Sequence, residues 1–170
     1  ISFLMRSGEL REIINFILDE KQRNLYINED GLLSTNGTIE SVTWMDSTFN
    51  GKPLLPRTGF IVEFNALWYN ALMFASTLFK DAEQKPARIQ EWEALAERLK
   101  VAFTNTFMND YGYLYDYVDG TYTDLSVRPN MIIAAGCDFS PLDRVQRKKI
   151  LDIVTRELLT PMGLRTLSPK

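Results

Sequence analysis

Five stretches of the chain carry the periodicity of helices, and they alternate between two kinds. In the first kind, apolar residues form one stripe and charged residues fill the remaining faces, which is typical of a helix half in water. Residues 8–21, 84–108 and 141–160 are of this kind. In the second kind, apolar residues occupy nearly every face, which predicts a helix enclosed by other helices. Residues 60–80 and 129–137 are of this kind, so outer and inner helices alternate along the chain.

Each inner helix is preceded by a long connection. Residues 24–36 contain Asp30-Gly31, a turn signal with short apolar pieces on either side, and we expect a loop or small hairpin there. Residues 111–126 contain LYDYVDG, which echoes LYINEDG in the first connection. Their separation is about twice a helical-hairpin repeat of 40 to 47 residues. The echo therefore supports a repeating architecture.

Together these features predict an all-α fold. Alternating buried and half-exposed helices, joined by long loops at one end, are what an α/α toroid requires, because its inner ring is enclosed and its outer ring is wet. We predict an incomplete α/α toroid whose long loops carry short β-hairpins at one end, with residues 1–170 forming a single domain. For the last helix we predict Ser140 as the cap and Pro141 as the first residue, with Pro161 and Gly163 ending it.

Charge and composition argue against several classes of function. The formal charge of -3 comes without basic clusters, which argues against nucleic acid as a partner. Histidine is absent and Cys137 is the single cysteine, and no phosphate-binding glycine motif is present, so we expect no metal and no cofactor. The lone cysteine and the lack of a secretory or membrane-spanning apolar run favour a reducing, cytoplasmic compartment, with no membrane partner.

Residues 43–72, TWMDSTFNGKPLLPRTGFIVEFNALWYNAL, are the most informative stretch for function. They place a carboxylate behind an indole, then a loop rich in glycine and proline, then an inner helix with carboxylate, amide and aromatic side chains. A soluble protein rarely mixes these groups so densely unless it handles a ligand that is both hydroxylated and ring-shaped. The stretch therefore indicates a sugar.

Asp46 is the candidate catalytic residue of this stretch. Glycoside hydrolysis needs one carboxyl group kept protonated, and burial beside apolar or aromatic neighbours penalises the charged form. Trp44 and Met45 are placed to supply that environment. The alternative is that Asp46 caps a turn through the amides of Ser47 and Thr48.

Seven further residues are candidate substrate contacts: Trp44, Arg57, Glu63, Trp68, Asn70, Asp116 and Arg128. Each also has a structural explanation. Glu63 suits an ion pair with Arg57, and Asn70 lies two turns further on the same face, so that it and Glu63 can point into one cavity. Trp68 is as typical of a core residue as of a sugar contact. Trp92, on the apolar stripe of residues 84–108, is predicted to be a packing residue. The loop residues Asp116, Asp119 and Arg128 suit a role at the rim, but an Asp-Gly turn and an exposed ion pair explain them equally well.

The motifs T-W-M-D, P-R-x-G and V-E-x-N-A-L-W-Y-N-A-L of residues 43–72 resemble those of the glucosidase domain of glycogen debranching enzymes, the amylo-α-1,6-glucosidases. The similarity extends to DGLL at residue 30, LYDYVDG, RPN and ELLTPMGLRTLSP, and so covers nearly the whole chain. The resemblance implies a glycoside hydrolase that acts on branched α-glucan, such as glycogen or limit dextrin, with Asp46 as the general acid.

The resemblance also implies an inverting hydrolysis of α-1,6-linked glucose within a toroid of six helical hairpins. An inverting route needs a second carboxylate, roughly 6.5 to 9.5 Å from the acid, so that a water fits between them. The resemblance implies that this base and further inner helices lie beyond Lys170, which makes the chain a piece of the catalytic domain. We then expect the isolated chain to be inactive, and to self-associate through the exposed flanks of residues 60–80 and 129–137.

Two other interpretations stay open. The chain is also compatible with another α/α-toroid glycosidase, of a trehalase-like or glucoamylase-like kind. A different class is a noncatalytic helical module that binds carbohydrate or a protein partner, in which Asp46 is only a turn cap.

Overall fold

The computed structural model describes residues 8–19, 24–80 and 86–170, and these contain five helices and nine short strands. The helices are α1 (Glu9–Leu18), α2 (Val62–Lys80), α3 (Pro86–Phe107), α4 (Asn130–Gly136) and α5 (Arg144–Leu158). The strands are β1 (Tyr26–Ile27), β2 (Leu33–Thr35), β3 (Thr48–Phe49), β4 (Lys52–Pro53), β5 (Gly59–Ile61), β6 (Tyr117–Asp119), β7 (Tyr122–Thr123), β8 (Leu159–Thr160) and β9 (Gly163–Leu164).

Each of the five predicted helices is present, and the predicted ends at residues 20–21 and 84–85 lie outside the described residues. The two predicted inner helices, α2 and α4, pack against each other, while α2 also contacts α1 and α3, and α4 also contacts α5. Most residues of α2 are buried, and the predicted packing role of Trp92 is confirmed, because its ring lies in the core with an edge-on contact to Phe79. The fold is therefore mainly helical with small β-hairpins, as predicted at that level.

The start of α5 differs from the prediction. Asp143 is the cap, and it forms a capping box in which Asp143 and Gln146 exchange hydrogen bonds of 2.8 Å between side chain and backbone. This box satisfies two backbone N–H groups that the first turn of a helix leaves free. Ser140 instead donates its hydroxyl to the carbonyl of Ala134 in α4. Its oxygen also accepts from the amide of Leu142, but the helix begins only at Arg144, so the predicted cap at Ser140 is wrong.

Five strands form one antiparallel sheet in the order β1-β2-β5-β6-β7. The two predicted hairpins are its edges, β1 with β2 and β6 with β7. The unpredicted strand β5 lies between them, with Phe60 opposite both Ser34 of β2 and Val118 of β6. Because α2 begins at the residue after β5, this sheet fixes the start of α2 against both long connections.

Two large apolar side chains of α2, Leu67 and Phe74, remain 49% and 37% exposed. They lie seven residues apart, on one face of the helix. Within the described residues, no helix is both long and apolar enough to cross a lipid bilayer.

A pair of glycine substitutions tests the close approach of β5 to β6. Gly59 has a φ of 78°, and a Cβ there would lie 2.3 Å from the carbonyl oxygen of Val118, whereas Gly120 has a φ of 57° and open space around it. We expect Gly120→Ala to lower the free energy of unfolding by about 1 to 2 kcal/mol through backbone strain alone. Gly59→Ala should cost about 1 to 3 kcal/mol more, because the backbone must also move. Urea unfolding of both variants measures the difference, and equal losses would contradict the packing described.

Candidate functional site

The T-W-M-D segment forms one wall of an open cleft with a volume of about 420 Å³. Three residues predicted for the site meet there: Trp44, Asp46 and Arg128. The remaining lining residues are Met45, Ser47, Leu54, Leu55 and Thr166. A carboxylate, an indole and a guanidinium therefore share one concavity with an apolar side, which is the mixture of groups that a sugar ring requires.

Asp46 is exposed, and Trp44 is 54% exposed, so the expectation that an apolar wall buries this carboxylate is wrong. The physical reason is that Asp46 lines an open cleft, where water reaches its carboxylate. The turn-cap alternative finds no support either. In the segments that the structure describes, no hydrogen bond joins Asp46 to the amides of Ser47 or Thr48, and the local turn is made by Thr43, whose hydroxyl accepts from the amide of Met45.

Asn130, the first residue of α4, anchors this wall from behind. Its Oδ1 accepts a 3.0 Å hydrogen bond from Nε1 of Trp44, and its Nδ2 donates a 2.7 Å bond to Oδ1 of Asp116. The same nitrogen lies 3.5 Å from the sulfur of Met45. Sequence reasoning gave Asn130 no role. The only signal was its place in the R-P-N motif of the resemblance, because a contact between residues 86 positions apart leaves no local pattern.

Arg57 forms the centre of a buried ionic cluster beneath the cleft. Its two Nη atoms bind the two carboxylate oxygens of Glu63, the second at 2.7 Å, and this bidentate pairing confirms the ion pair predicted for these residues. Its Nε lies 2.8 Å from Oδ2 of Asp116, and Nη2 also donates to the backbone carbonyl of Asp116. The backbone of Arg57 is equally constrained, since a Cβ on Gly37 would lie 1.9 Å from its carbonyl oxygen.

Arg128 connects the buried cluster to the cleft. It lines the cleft, and its Nε lies 3.7 Å from Oδ2 of Asp116. Asp116 is buried, so the exposed ion pair predicted for it is wrong: its partners Arg57 and Asn130 come from distant segments and cover it. Arg57, Glu63 and Asp116 thus lie behind the cleft rather than along it.

The remaining predicted contacts lie elsewhere. Trp68 is in the hydrophobic core between the helices. Asn70 accepts a hydrogen bond from the amide of Phe139 in the connection after α4, while Glu63 is committed to Arg57, so the two do not share a cavity. Within the described residues, no group of three or more histidine, cysteine, aspartate or glutamate side chains is placed to hold a metal ion.

The electrostatics of the cluster centre on Asp116. Burial raises the pKa of Asp116 to about 6, against the opposing effects of the Arg57 charge and the hydrogen bond from Asn130. Burial alone would lower the pKa of Arg57, but the hydrogen bond with Glu63 and the charges of Asp116 and Glu63 raise it above its ordinary value. Arg57 therefore stays charged at every accessible pH, whereas Asp116 gains a proton in mild acid.

Replacing Arg57 tests the cluster as a source of stability. Arg57→Ala leaves two buried carboxylates without their cation, and we expect the free energy of unfolding to fall by about 3 to 5 kcal/mol. Arg144→Ala is the matched control, because Arg144 is exposed and its loss should change stability by no more than about 0.5 kcal/mol. Urea unfolding at neutral pH measures both. A loss for Arg57→Ala as small as the control would show that water reaches the cluster.

The pKa of Asp116 predicts a pH dependence. Because its pKa rises from an ordinary 3.8 to about 6 on folding, the folded state holds a proton that the unfolded chain releases in this interval. The contribution of this group to the free energy of unfolding is therefore fully present below about pH 4 and is lost as the pH rises through about 6. The ¹³C shift of the carboxyl carbon of Asp116, identified by its absence in Asp116→Asn, should titrate with a midpoint near 6. A midpoint below about 4 would contradict the burial of this carboxyl.

Comparison with known proteins agrees with the resemblance seen in the sequence. No curated protein matches the chain at a significant level. The family model described as amylo-alpha-1,6-glucosidase matches residues 4–170, which include every segment of the cleft and of the ionic cluster. The chain therefore belongs to the amylo-α-1,6-glucosidase family, as a domain of the glycogen-debranching glucosidase type.

Proposed function

We propose that this chain carries the proton-donating side of an active site that hydrolyses α-1,6-linked glucose at the branch stubs of glycogen and related α-glucans. The observation that carries it is the cleft itself, where the carboxyl of Asp46 lies beside the indole of Trp44 and the guanidinium of Arg128. In a family of this activity, an exposed carboxylate that lines a sugar-sized cleft is the natural candidate for the acid.

The exposure of Asp46 fits this role once substrate enters. Among the described residues, Asp46 has no ion-pair or hydrogen-bond partner that would hold it away from a glycosidic oxygen. A glucose ring that fills the cleft displaces water and lies against Trp44, and loss of water favours the neutral form of a carboxyl group. The proton then passes from Asp46 to the departing sugar oxygen as the glycosidic bond breaks.

An inverting reaction also needs a base, which activates the attacking water at roughly 6.5 to 9.5 Å from the acid. Among the described residues that line the cleft, Asp46 is the one carboxylate. We therefore place the base in a part of the catalytic domain outside these residues, and we expect the isolated 170-residue chain to release no glucose.

The packing of the helices supports an arc of a toroid as the setting for this site. The inner helices α2 and α4 are neighbours, and each is backed by an outer helix. Leu67 and Phe74 of α2 stay exposed, as expected for an inner helix that lacks a further neighbour. In the isolated chain, such a stripe favours self-association through α2 and α4.

Replacement of Asp46 tests the proposed function. In the longest natural protein that contains these residues, Asp46→Asn should lower glucose release from limit dextrin by about 10²- to 10⁴-fold, because an amide cannot donate the proton, while dextrin binding is retained. Asp110→Asn, at an exposed carboxylate outside the cleft, is the control and should leave turnover unchanged.

Two outcomes would contradict it. Full turnover by Asp46→Asn would exclude Asp46 as the acid and favour a noncatalytic module. Hydrolysis of trehalose rather than limit dextrin by the unmodified protein would keep the acid but assign a different toroid glycosidase.

A further inference from the structure

We propose that Asn130 is a positioning residue, which holds the T-W-M-D wall of the cleft in place through the indole of Trp44. Its role in turnover rests on the proposed function. The anchoring itself is a property of the folded chain and does not depend on the reaction.

The first step is that Asn130 is the anchor of this wall. In the part of the chain that the structure describes, two hydrogen bonds join residues 43–46 to another element, and both involve Asn130. Asn130 accepts one from Trp44 and donates the other to Met45. The contact made by Thr43 stays within the segment. Since Trp44 is half exposed and Asp46 follows two residues later, removal of this anchor releases the part of the wall that carries the acid.

The second step is that an asparagine suits this position better than leucine or aspartate, which have a similar shape. The indole N–H of Trp44 is a donor only, and the ionised carboxylate of Asp116 is an acceptor only. A single planar amide offers an acceptor to one and a donor to the other, and its two partners fix which way it faces. Leucine would offer neither group, and aspartate would offer an acceptor to both.

The third step is that the anchor is itself immobile. Asn130 is 1% exposed and lies in the first turn of α4, which packs on α2 and α5. Its partner Asp116 is held on the other side by Arg57, which is clamped in turn by Glu63. A continuous set of polar contacts therefore runs from the start of α2 to the indole in the cleft.

Nuclear magnetic resonance of the indole groups tests the anchoring without any substrate. The chain has three tryptophans, and Trp44→Phe identifies the signal of Trp44. Asn130→Leu should speed hydrogen exchange of the Trp44 indole N–H by at least about tenfold, because its acceptor is gone, while the signals of Trp68 and Trp92 stay in place. Measured below about pH 6, where Asp116 carries a proton that it can donate to the new carboxylate, Asn130→Asp keeps an acceptor toward Trp44 and should keep exchange slow.

Asn109→Leu is the matched control for lost stability. Asn109 is also buried, and its Oδ1 accepts from the amides of Tyr111 and Tyr113, away from the cleft. It should leave the Trp44 signal unchanged. If Asn130→Leu unfolds the chain, all three indole signals collapse together. Exchange of the Trp44 indole N–H in Asn130→Asp then tests the anchoring. Trp44 exchange that is unchanged in Asn130→Leu, or that is as fast in Asn130→Asp as in a free indole, overturns the anchoring.

Turnover of the longest natural protein tests the consequence. Asn130→Leu should lower kcat for limit dextrin by about 10²-fold, since a misplaced acid costs rate, with partial recovery in Asn130→Asp and little change in Asn109→Leu. Unchanged kcat in Asn130→Leu overturns the positioning role while Asp46→Asn still tests the acid. If Asp46→Asn keeps full turnover instead, the proposed function fails, and the indole signals judge the anchoring on their own.

Discussion

The bidentate contact between Arg57 and Glu63 is the interaction on which the rest of this structure depends. Two arginines and two carboxylates gather beneath the cleft, so their formal charges balance, and each charge has a partner within the cluster. Removing several charges from water is favourable only when the geometry is close to ideal and the remaining polar atoms are also satisfied. Here Asn130 and the backbone carbonyl of Asp116 supply two further bonds, whereas Nε of Arg57 and Oδ2 of Asp116 form an ion pair at 2.8 Å without hydrogen-bond geometry. The residues that support the cleft from behind are therefore charged and polar rather than apolar.

Local patterns in the sequence predicted the helices, and longer-range contacts explain what it did not predict. Apolar residues on one face, or on nearly every face, of a helix recur within that single element. All five helices could therefore be predicted from this local periodicity. Strand β5 has three residues in a loop rich in glycine and proline, and its partners lie far away in the sequence, so nothing nearby marks it. The cap of α5 is Asp143 rather than Ser140, because the helix begins only at Arg144, after a turn in which Ser140 accepts from the amide of Leu142.

The same distinction separates the parts of the site. Trp44 and Asp46 could be predicted for the cleft because they lie two residues apart in a recognisable motif. Arg128 could be predicted because it follows a long connection. Glu63 was correctly paired with Arg57, since a loop arginine and a carboxylate in the first turn of a helix are close in sequence. The burial of Asp116 and the role of Asn130 arise only when distant segments meet, and the open side of Asp46 depends on what the rest of the chain leaves uncovered.

The direct passage from β5 into α2 has a mechanical consequence. Ile61 ends the strand and Val62 begins the helix, so no hinge residue separates the central strand of the sheet from the longest buried helix. A displacement of one must turn or tilt the other, together with Arg57's partner Glu63, which lies in the first turn of that helix. The short hairpin of β3 and β4, by contrast, is a separate two-stranded sheet with largely exposed residues, and it borders the cleft at Ser47 and Leu54. The strand and helix that hold Glu63 thus form one continuous unit, while a separate piece of backbone forms this edge of the cleft.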